Sequence, residues 1–289
     1  MQSSQQAARV TLVGLVVLAA VASAETKKEL RFTLGPKATV AIVNQYGGIS
    51  VKPSATGNMV VVTATLASDK VDVQSSQGPN RVDLASHLLA GATDVTGRVD
   101  YEVTVPVDTS VILQSATGPL HAEKLHGDIE LEGVAAPVDV RDIWDSHVHI
   151  KTMNGPVTVT NVRDGHVEID SVSGNITLNS VSGPEVRVSS TSGQIIYDGD
   201  FGYPGEYRLT SHSGNIEATF PQTTVAEIRA QSYQGKVQDD AHLQPKKHPN
   251  FSVAEGKSFV GTTLNTINQA AASVWLRTFS GRIHLKKRQ

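Results

Sequence analysis

The chain contains no cysteine, and only 5% of its 289 residues are aromatic. Absence of cysteine excludes a disulfide framework, a thiol nucleophile and attachment through a lipid-modified cysteine. A strong excess of one charge is also missing, with 25 Lys and Arg against 28 Asp and Glu. Mild acidity argues against nucleic acid or anionic lipid as partner, because both need clustered cations. The basic clusters present, Lys246-Lys247-His248 and Lys286-Lys287-Arg288, read as a solvated loop and a solvated tail. No Ser-His-Asp order or phosphate-cradling glycine loop is apparent either.

Long apolar runs are equally scarce. Val10 to Val21 is one, but about twelve residues fall short of the roughly twenty that span a bilayer. Arg9 precedes it and Ala22-Ser23-Ala24 follows, which makes 1–24 a signal peptide cleaved before Glu25. Without Arg9 the balance is 24 basic against 28 acidic residues, a charge of −4. The exported remainder, lacking disulfides, must hold itself together by burial. An amphipathic aromatic strand of the outer-membrane barrel type does not close the sequence, which runs out in Lys-Lys-Arg-Gln.

What the sequence does have is a repeat. From Asp164 to Tyr197 a small residue and a glycine are followed by a short alternating strand, and the unit recurs at once. Anchors fall at Gly118, Gly127, Ala136, Ser146, Gly155, Gly165, Gly174, Gly183 and Gly193, in steps of 9 or 10. Gly214 and Gly235 follow at steps of 21. The second and fourth residues after an anchor are apolar, as in Ile129 and Leu131, Val148 and Ile150, Val167 and Ile169. Such alternation gives a half-buried strand of about five residues that cannot bury its face alone, so units must stack. Steps near nineteen for every second anchor suggest two strands per coil, although a three-sided coil stays open. The fold expected is all-β, a parallel β-solenoid of roughly 19–21-residue coils, ten to a dozen short repeats capped at both ends.

Four segments result. Residues 1–24 are the signal peptide. Residues 25–110 form an N-terminal β region of irregular first coils or a cap. Residues 111–240 are the regular solenoid, and 241–289 hold a C-terminal loop, final coil and cap. One helix is expected, over Leu264 to Ser273, with short strands at Phe251–Val253 and Ser258–Thr263. Trp275 and Phe279 have the bulk to close the C-terminal end of the core.

The repeat pattern at Ser173–Ile176, Thr191–Ile195, Ser213–Ile216 and Thr278–Ile283 resembles a large bacterial group of adhesin-like β-strand-repeat proteins. The likeness covers most of the chain beyond residue 24, including Gly47-Gly48-Ile49-Ser50-Val51 and the entry at Val105-Pro106. It implies a β-solenoid at the bacterial envelope, periplasmic, outer-membrane-associated or on the cell surface, and carries no catalytic motif. Ala136 and Ser146 depart from the corner glycine, and Glu185 adds a residue to its strand.

If alternate units share a face, His149 lies between Glu130 and Glu168, and His147 between Asp128 and His166. At the 4.8 Å strand spacing these could hold a zinc-like ion or form a plain cross-strand ladder. The flat sheet favours the ladder. The other face stacks Asn175, Gln194, Asn215 and Lys236 beside Thr158, Thr177, Ile196 and Glu217. That face lacks aromatics for stacking on sugars. Carboxylate pairs for a polysaccharide lyase or hydrolase are Asp142 with Asp145, Asp198 with Asp200, and Asp239 with Asp240. All sit in turns, where Asp bonds to its own backbone. The reading is a non-catalytic binding or scaffolding module without a cofactor, whose partner is an envelope protein or polysaccharide; the carbohydrate-active enzyme is the alternative.

Overall fold

The computed structural model describes residues 25–54, 57–202, 204–247, 252, 254–263 and 271–288. Residues 1–24, expected to be a signal peptide, residues 264–270 of the expected helix, and Phe251 and Val253 lie outside these.

The first part of the chain supplies β1 (Thr26–Thr33), β2 (Thr39–Asn44), β3 (Ile49–Pro53), β4 (Met59–Leu66), β5 (Val71–Gln77), β6 (Arg81–Leu88) and β7 (Val99–Val105). The centre supplies β8 (Ser110–Ser115), β9 (Leu120–Glu123), β10 (Ile129–Gly133), β11 (Val138–Trp144), β12 (His147–Thr152), β13 (Val157–Arg163) and β14 (His166–Ser171). It continues through β15 (Ile176–Val181), β16 (Glu185–Ser190), β17 (Ile195–Asp198), β18 (Glu206–Ser211) and β19 (Ile216–Phe220). Last come β20 (Ala226–Ser232), β21 (Val237–Asp239), β22 (Gln244–Pro245), β23 (Ser258–Thr262), β24 (Ala272–Thr278) and β25 (Ile283–Lys287). Among the described residues there is no helix, and Ala272 and Ser273, expected to end one, open β24.

The strands form two long sheets, 12 and 13 strands wide. Each central coil gives one strand to each sheet and pairs in parallel with the next. Ile129 faces Val148 and Val148 faces Val167, 19 residues apart, while Ile195 faces Ile216 across 21. Ile129, Leu131, Val148, Ile150, Val167 and Ile169 are all buried, as their alternation requires. Each such side chain contributes about 1.5–3 kcal/mol when removed from water. Toward the later coils, Tyr197, Phe201, Tyr207 and Phe220 fill the space between the sheets, with Tyr197 stacked on Phe201 at 4.5 Å. The Tyr197 hydroxyl donates to the Val181 carbonyl at 2.8 Å, and burial pushes its acidity well below that of a free phenol.

Spatial order departs from chain order at both ends. The first sheet runs β1-β4-β7-β3-β9 and so on to β17-β19-β25-β21. The second runs β5-β6-β2-β8 and so on to β16-β18-β24-β20-β23-β22. The coil β2/β3 is therefore held between β6/β7 and β8/β9, and the coil β24/β25 between β18/β19 and β20/β21. The expected final coil is not final in space. Beyond these inserted coils the pairing includes antiparallel strands, β4 with β1 and β7, β5 with β6, and β23 with β20 and β22.

One corner of most coils is built by a short frame, a hydroxyl residue three positions before a glycine. Ser190 accepts from the Gly193 amide at 2.9 Å, Ser211 from Gly214 at 2.9 Å, and Thr278 from Gly281 at 3.1 Å. The glycine is needed for close approach rather than for a left-handed turn. A Cβ on Gly174 would lie 1.9 Å from the Gly155 carbonyl oxygen of the coil before it. In the β10 coil the frame is inverted: Gly133 stands at the hydroxyl position, where a Cβ would meet the Ala136 methyl at 2.9 Å. The alanine departure from the pattern is thus compensated within its own corner. A second departure dissolves on inspection of the register. Glu185 pairs directly with His166 and Glu206, so its strand has no extra residue. The additional residue is Pro184, in the turn before β16.

Trp275 and Phe279 do not close the core. Trp275 is half-buried on the outer surface of the second sheet, and Phe279 is 41% exposed. The alternation of β24 buries Val274 and Leu276 instead, which turns Trp275 outward. Nor is the last basic cluster a solvated tail. Lys286 and Lys287 lie in β25, Lys286 pairs with Glu217 at 2.8 Å, and Arg288 pairs with Asp198.

Candidate functional site

Side chains leaving the second sheet fall into columns, because parallel strands in register repeat the same position about every 4.8 Å. One column runs Glu130, His149, Glu168, Arg187, Arg208, Trp275 and Arg229. The next runs Glu132, Lys151, Asp170, Ser189, Thr210, Arg277 and Gln231. The face changes sign along its length. In these two columns carboxylates, His149 and Lys151 occupy β10 to β14, and guanidinium groups with one indole and neutral polar residues occupy β16, β18, β24 and β20.

In the acidic half, His149 sits between Glu130 and Glu168 in register, and His147 pairs with His166. The His147 amide donates to Asp128 at 3.2 Å. The His147 and His166 rings meet edge to face at 4.8 Å rather than turning their nitrogens toward one point. Among the described residues no group of three His, Asp or Glu side chains converges as a metal site would. A grouping that sequence reading missed lies on the first sheet. His121 Nδ1 is 3.0 Å from Asp139 and its Nε2 3.5 Å from Glu123, while Arg141 donates to Asp139 at 2.9 Å. The Asp139 carboxylate is thus already paired with a guanidinium.

The carboxylate pairs divide. Asp142 and Asp145 both have left-handed backbones, with φ of 55° and 52°, as short polar turn residues tolerate. Asp239 accepts from the Ala241 and Leu243 amides, both at 3.0 Å. Asp200 accepts from the Thr224 hydroxyl at 2.6 Å. Asp198 and Asp240, however, have basic partners, Arg288 and His284. The His284 and Gln238 hydrogen bonds hold Asp240 below the usual carboxylate range.

The first-sheet face keeps Thr158, Thr177, Ile196 and Glu217 in one column. The neighbouring amide column is interrupted. Asn175 accepts from the Gln194 amide at 3.1 Å, but Asn215 accepts from Arg282 at 2.8 Å, since the inserted coil separates Asn215 from Lys236.

The corner frames present a third surface. The residue just after each frame hydroxyl stands at the tip, and its amide bonds the frame residue of the preceding coil, as Val172 N does Thr152 O at 3.1 Å. Val134, Met153 and Val172 are exposed tips, 48%, 51% and 46% accessible. Past Thr191, two coils later, the column becomes aromatic. His212 and Phe279 stack face to face at 5.0 Å, Phe279 and Tyr233 tilt at 6.0 Å, and Arg277 donates to the Tyr233 hydroxyl at 2.6 Å. The Ser/Thr-to-Gly spacing in the sequence could have revealed these tips.

The arginine half carries its own pairs. Arg187 bonds Glu185 at 2.6 Å and Arg208 bonds Glu206 at 2.5 Å. Arg229 bonds Glu227 and lies 4.7 Å from the centre of the Trp275 ring. Burial raises the Glu227 carboxyl, but Lys246 and Arg229 outweigh it and leave its pKa below normal.

A sequence profile described as Toastrack DUF4097 matches residues 25–286. No curated protein matches the chain. Two solved structures are similar. One, a candidate cell adhesion protein from Clostridium sporogenes, shares 12% identity at a TM-score of 0.27, covering 91% of this chain and 100% of its own. The other, a candidate adhesin from Bacteroides fragilis, shares 13% identity at a TM-score of 0.47, covering 90% of this chain and 97% of its own.

Proposed function

The chain belongs to the Toastrack DUF4097 family, and on that premise we propose that it is an exported, non-catalytic binding or scaffolding module of the bacterial cell envelope. The observation that carries this reading is the corner column. Frames of nearly constant structure hold tips of changing chemistry, apolar at Val134, Met153 and Val172, aromatic at Phe279 and Tyr233. A line of exposed apolar groups on a rigid solenoid is the kind of extended surface on which repeat proteins seat partners. Export rests on residues 1–24. The coil is taken as 19–21 residues, and the antiparallel strands at each end serve as caps against edge-to-edge growth.

The test is a glycan and envelope-protein array probed with the protein. Retention of a polysaccharide or an envelope protein, weakened when Met153→Glu and Phe279→Ser alter the tips, supports the module. A blank array overturns it. Release of shortened or unsaturated sugar from a retained polysaccharide replaces it with the enzyme.

A further inference from the structure

The second sheet has one place where an indole, two guanidinium groups and a hydroxyl share a depression. Arg208 and Thr210 project from β18, and Trp275 and Arg277 from the adjoining β24. Arg208 stands opposite Trp275, and Thr210 opposite Arg277. They mark a rectangle about 4.8 Å across the strands and roughly 6.7 Å along them. A groove of about 200 Å³ lies between the four. Arg229, on the far side of β24, packs over the indole from β20, so the groove opens on the β18 side.

The charges are poised for an anion. Among the described residues no carboxylate pairs with Arg277, whose guanidinium bonds the Tyr233 hydroxyl and lies 5.1 Å from that ring's centre. Arg208 is tied to Glu206, but both are about half exposed. Such a pair contributes little and yields readily to a better acceptor. The neighbouring coils put Glu185, Glu206 and Glu227 beside their arginines, whereas the β24 coil has Ser273 at that position. The β24 coil therefore adds a guanidinium to the groove without adding a carboxylate beside it.

From this geometry we infer that the groove binds an acidic polysaccharide, one uronate ring seating against Trp275 with its carboxylate between Arg208 and Arg277. Guanidinium groups suit a planar carboxylate because two N–H donors can meet its two oxygens. An indole face suits the C–H side of a pyranose, and Thr210 supplies a hydroxyl within the same rectangle. Repetition along the sheet extends the footprint, since Arg187 and Arg229 flank the groove at strand spacing. Tyr233 and Phe279 adjoin it at the corner and are the exposed aromatic side chains that continue the surface. The inference rests on the binding-module reading and specifies its partner class.

Calorimetry decides between the possibilities, using the full protein with a galacturonate oligomer, a neutral galactose oligomer of equal length, and an oligoglutamate. The galacturonate oligomer is expected to bind, with affinity falling as salt rises. Arg277→Gln, Arg208→Gln and Trp275→Ala should each weaken it about tenfold or more. Arg208→Gln lies at an exposed position and guards against loss of binding through misfolding, checked by an unchanged melting temperature. Absence of heat with galacturonate, equal binding in Arg208→Gln and Arg277→Gln, or equal affinity for oligoglutamate overturns the acidic-sugar site. If the parent protein retains array partners but gives no heat with the galacturonate oligomer, the groove is refuted and the module stands. A blank array refutes the module itself.

Discussion

Two coils lie out of chain order, and they are used differently. The coil β2/β3 is clasped between β6/β7 and β8/β9, and β24/β25 between β18/β19 and β20/β21. Both bury alternate aliphatic residues, Val40, Ile42, Ile49 and Val51 in one, Val274, Leu276, Ile283 and Leu285 in the other. Both bridge coils that would otherwise leave unpaired strand edges. Outwardly they differ. The second-sheet strand of the early coil exposes Val43 while Ala41 is buried, beside a strand pair that is itself antiparallel. The late coil offers Trp275 and Arg277, in a run of parallel strands that supply Arg208 and Arg229 on either side. The same topology serves as a clasp at one end and as part of a display surface at the other.

Removing residues 272–289 should break the comparison most severely. Four buried aliphatic side chains at about 1.5–3 kcal/mol each amount to roughly 6–12 kcal/mol, comparable with the whole stability of a domain. Thermal unfolding monitored by circular dichroism should lose its cooperative transition. A truncated protein melting like the parent would make β24/β25 an appendage. Next come the corner glycines. A Cβ on Gly118 would lie 1.8 Å from the Gly47 carbonyl oxygen, and one on Gly281 2.0 Å from that of Gly214. Gly118→Ala and Gly281→Ala should each cost about 1–3 kcal/mol in urea titration, since backbone must move in both. A large difference between them would mean that one inserted coil is more loosely held.

Smaller effects sharpen the contrast. Asn44 donates to Gly47 and Val99 and accepts from Ser86, whereas Thr278 accepts from Gly281 and donates to Gly214. Thr278→Val should therefore cost about 1–2 kcal/mol and Asn44→Leu more, because a larger number of buried polar groups loses its partner. The smallest effect concerns acid. Glu227 has a depressed pKa in the folded protein, so its contribution is present above the ordinary carboxylate range and is lost as pH falls through the folded value. Glu227→Gln should flatten the acid limb of the stability curve by no more than about 1 kcal/mol. An unchanged limb would show that the Lys246 and Arg229 pairs contribute nothing measurable.

The stacking of the central coils was legible because period-two alternation and a 19-residue step depend on nearest neighbours alone. Ile129, Val148 and Val167 could be placed over one another by counting. The insertion of β24/β25 was not legible, since the Thr278–Ile283 unit reads like any other repeat and nothing local says between which coils it fits. That one unknown misdirected Trp275 and Phe279, put Lys236 next to Asn215, and hid the meeting of Arg208 with Arg277. The role of the corner glycine was half legible. Its spacing marked the turn, but only the distance to the carbonyl of the preceding coil distinguishes steric approach from a left-handed backbone. Imidazole and carboxylate placement on β10 to β14 was readable from the register, while the orientation of the His147 and His166 rings was not.

The slot between β18 and β20 has a consequence in time as well as in space. Both of those strands precede Trp275 in the chain, so the strand that joins them is made after the two it pairs with. The proposed groove is therefore completed only by the late strand, and a chain that ended before β24 would keep the tips at Val134, Met153 and Val172 but lack Trp275 and Arg277.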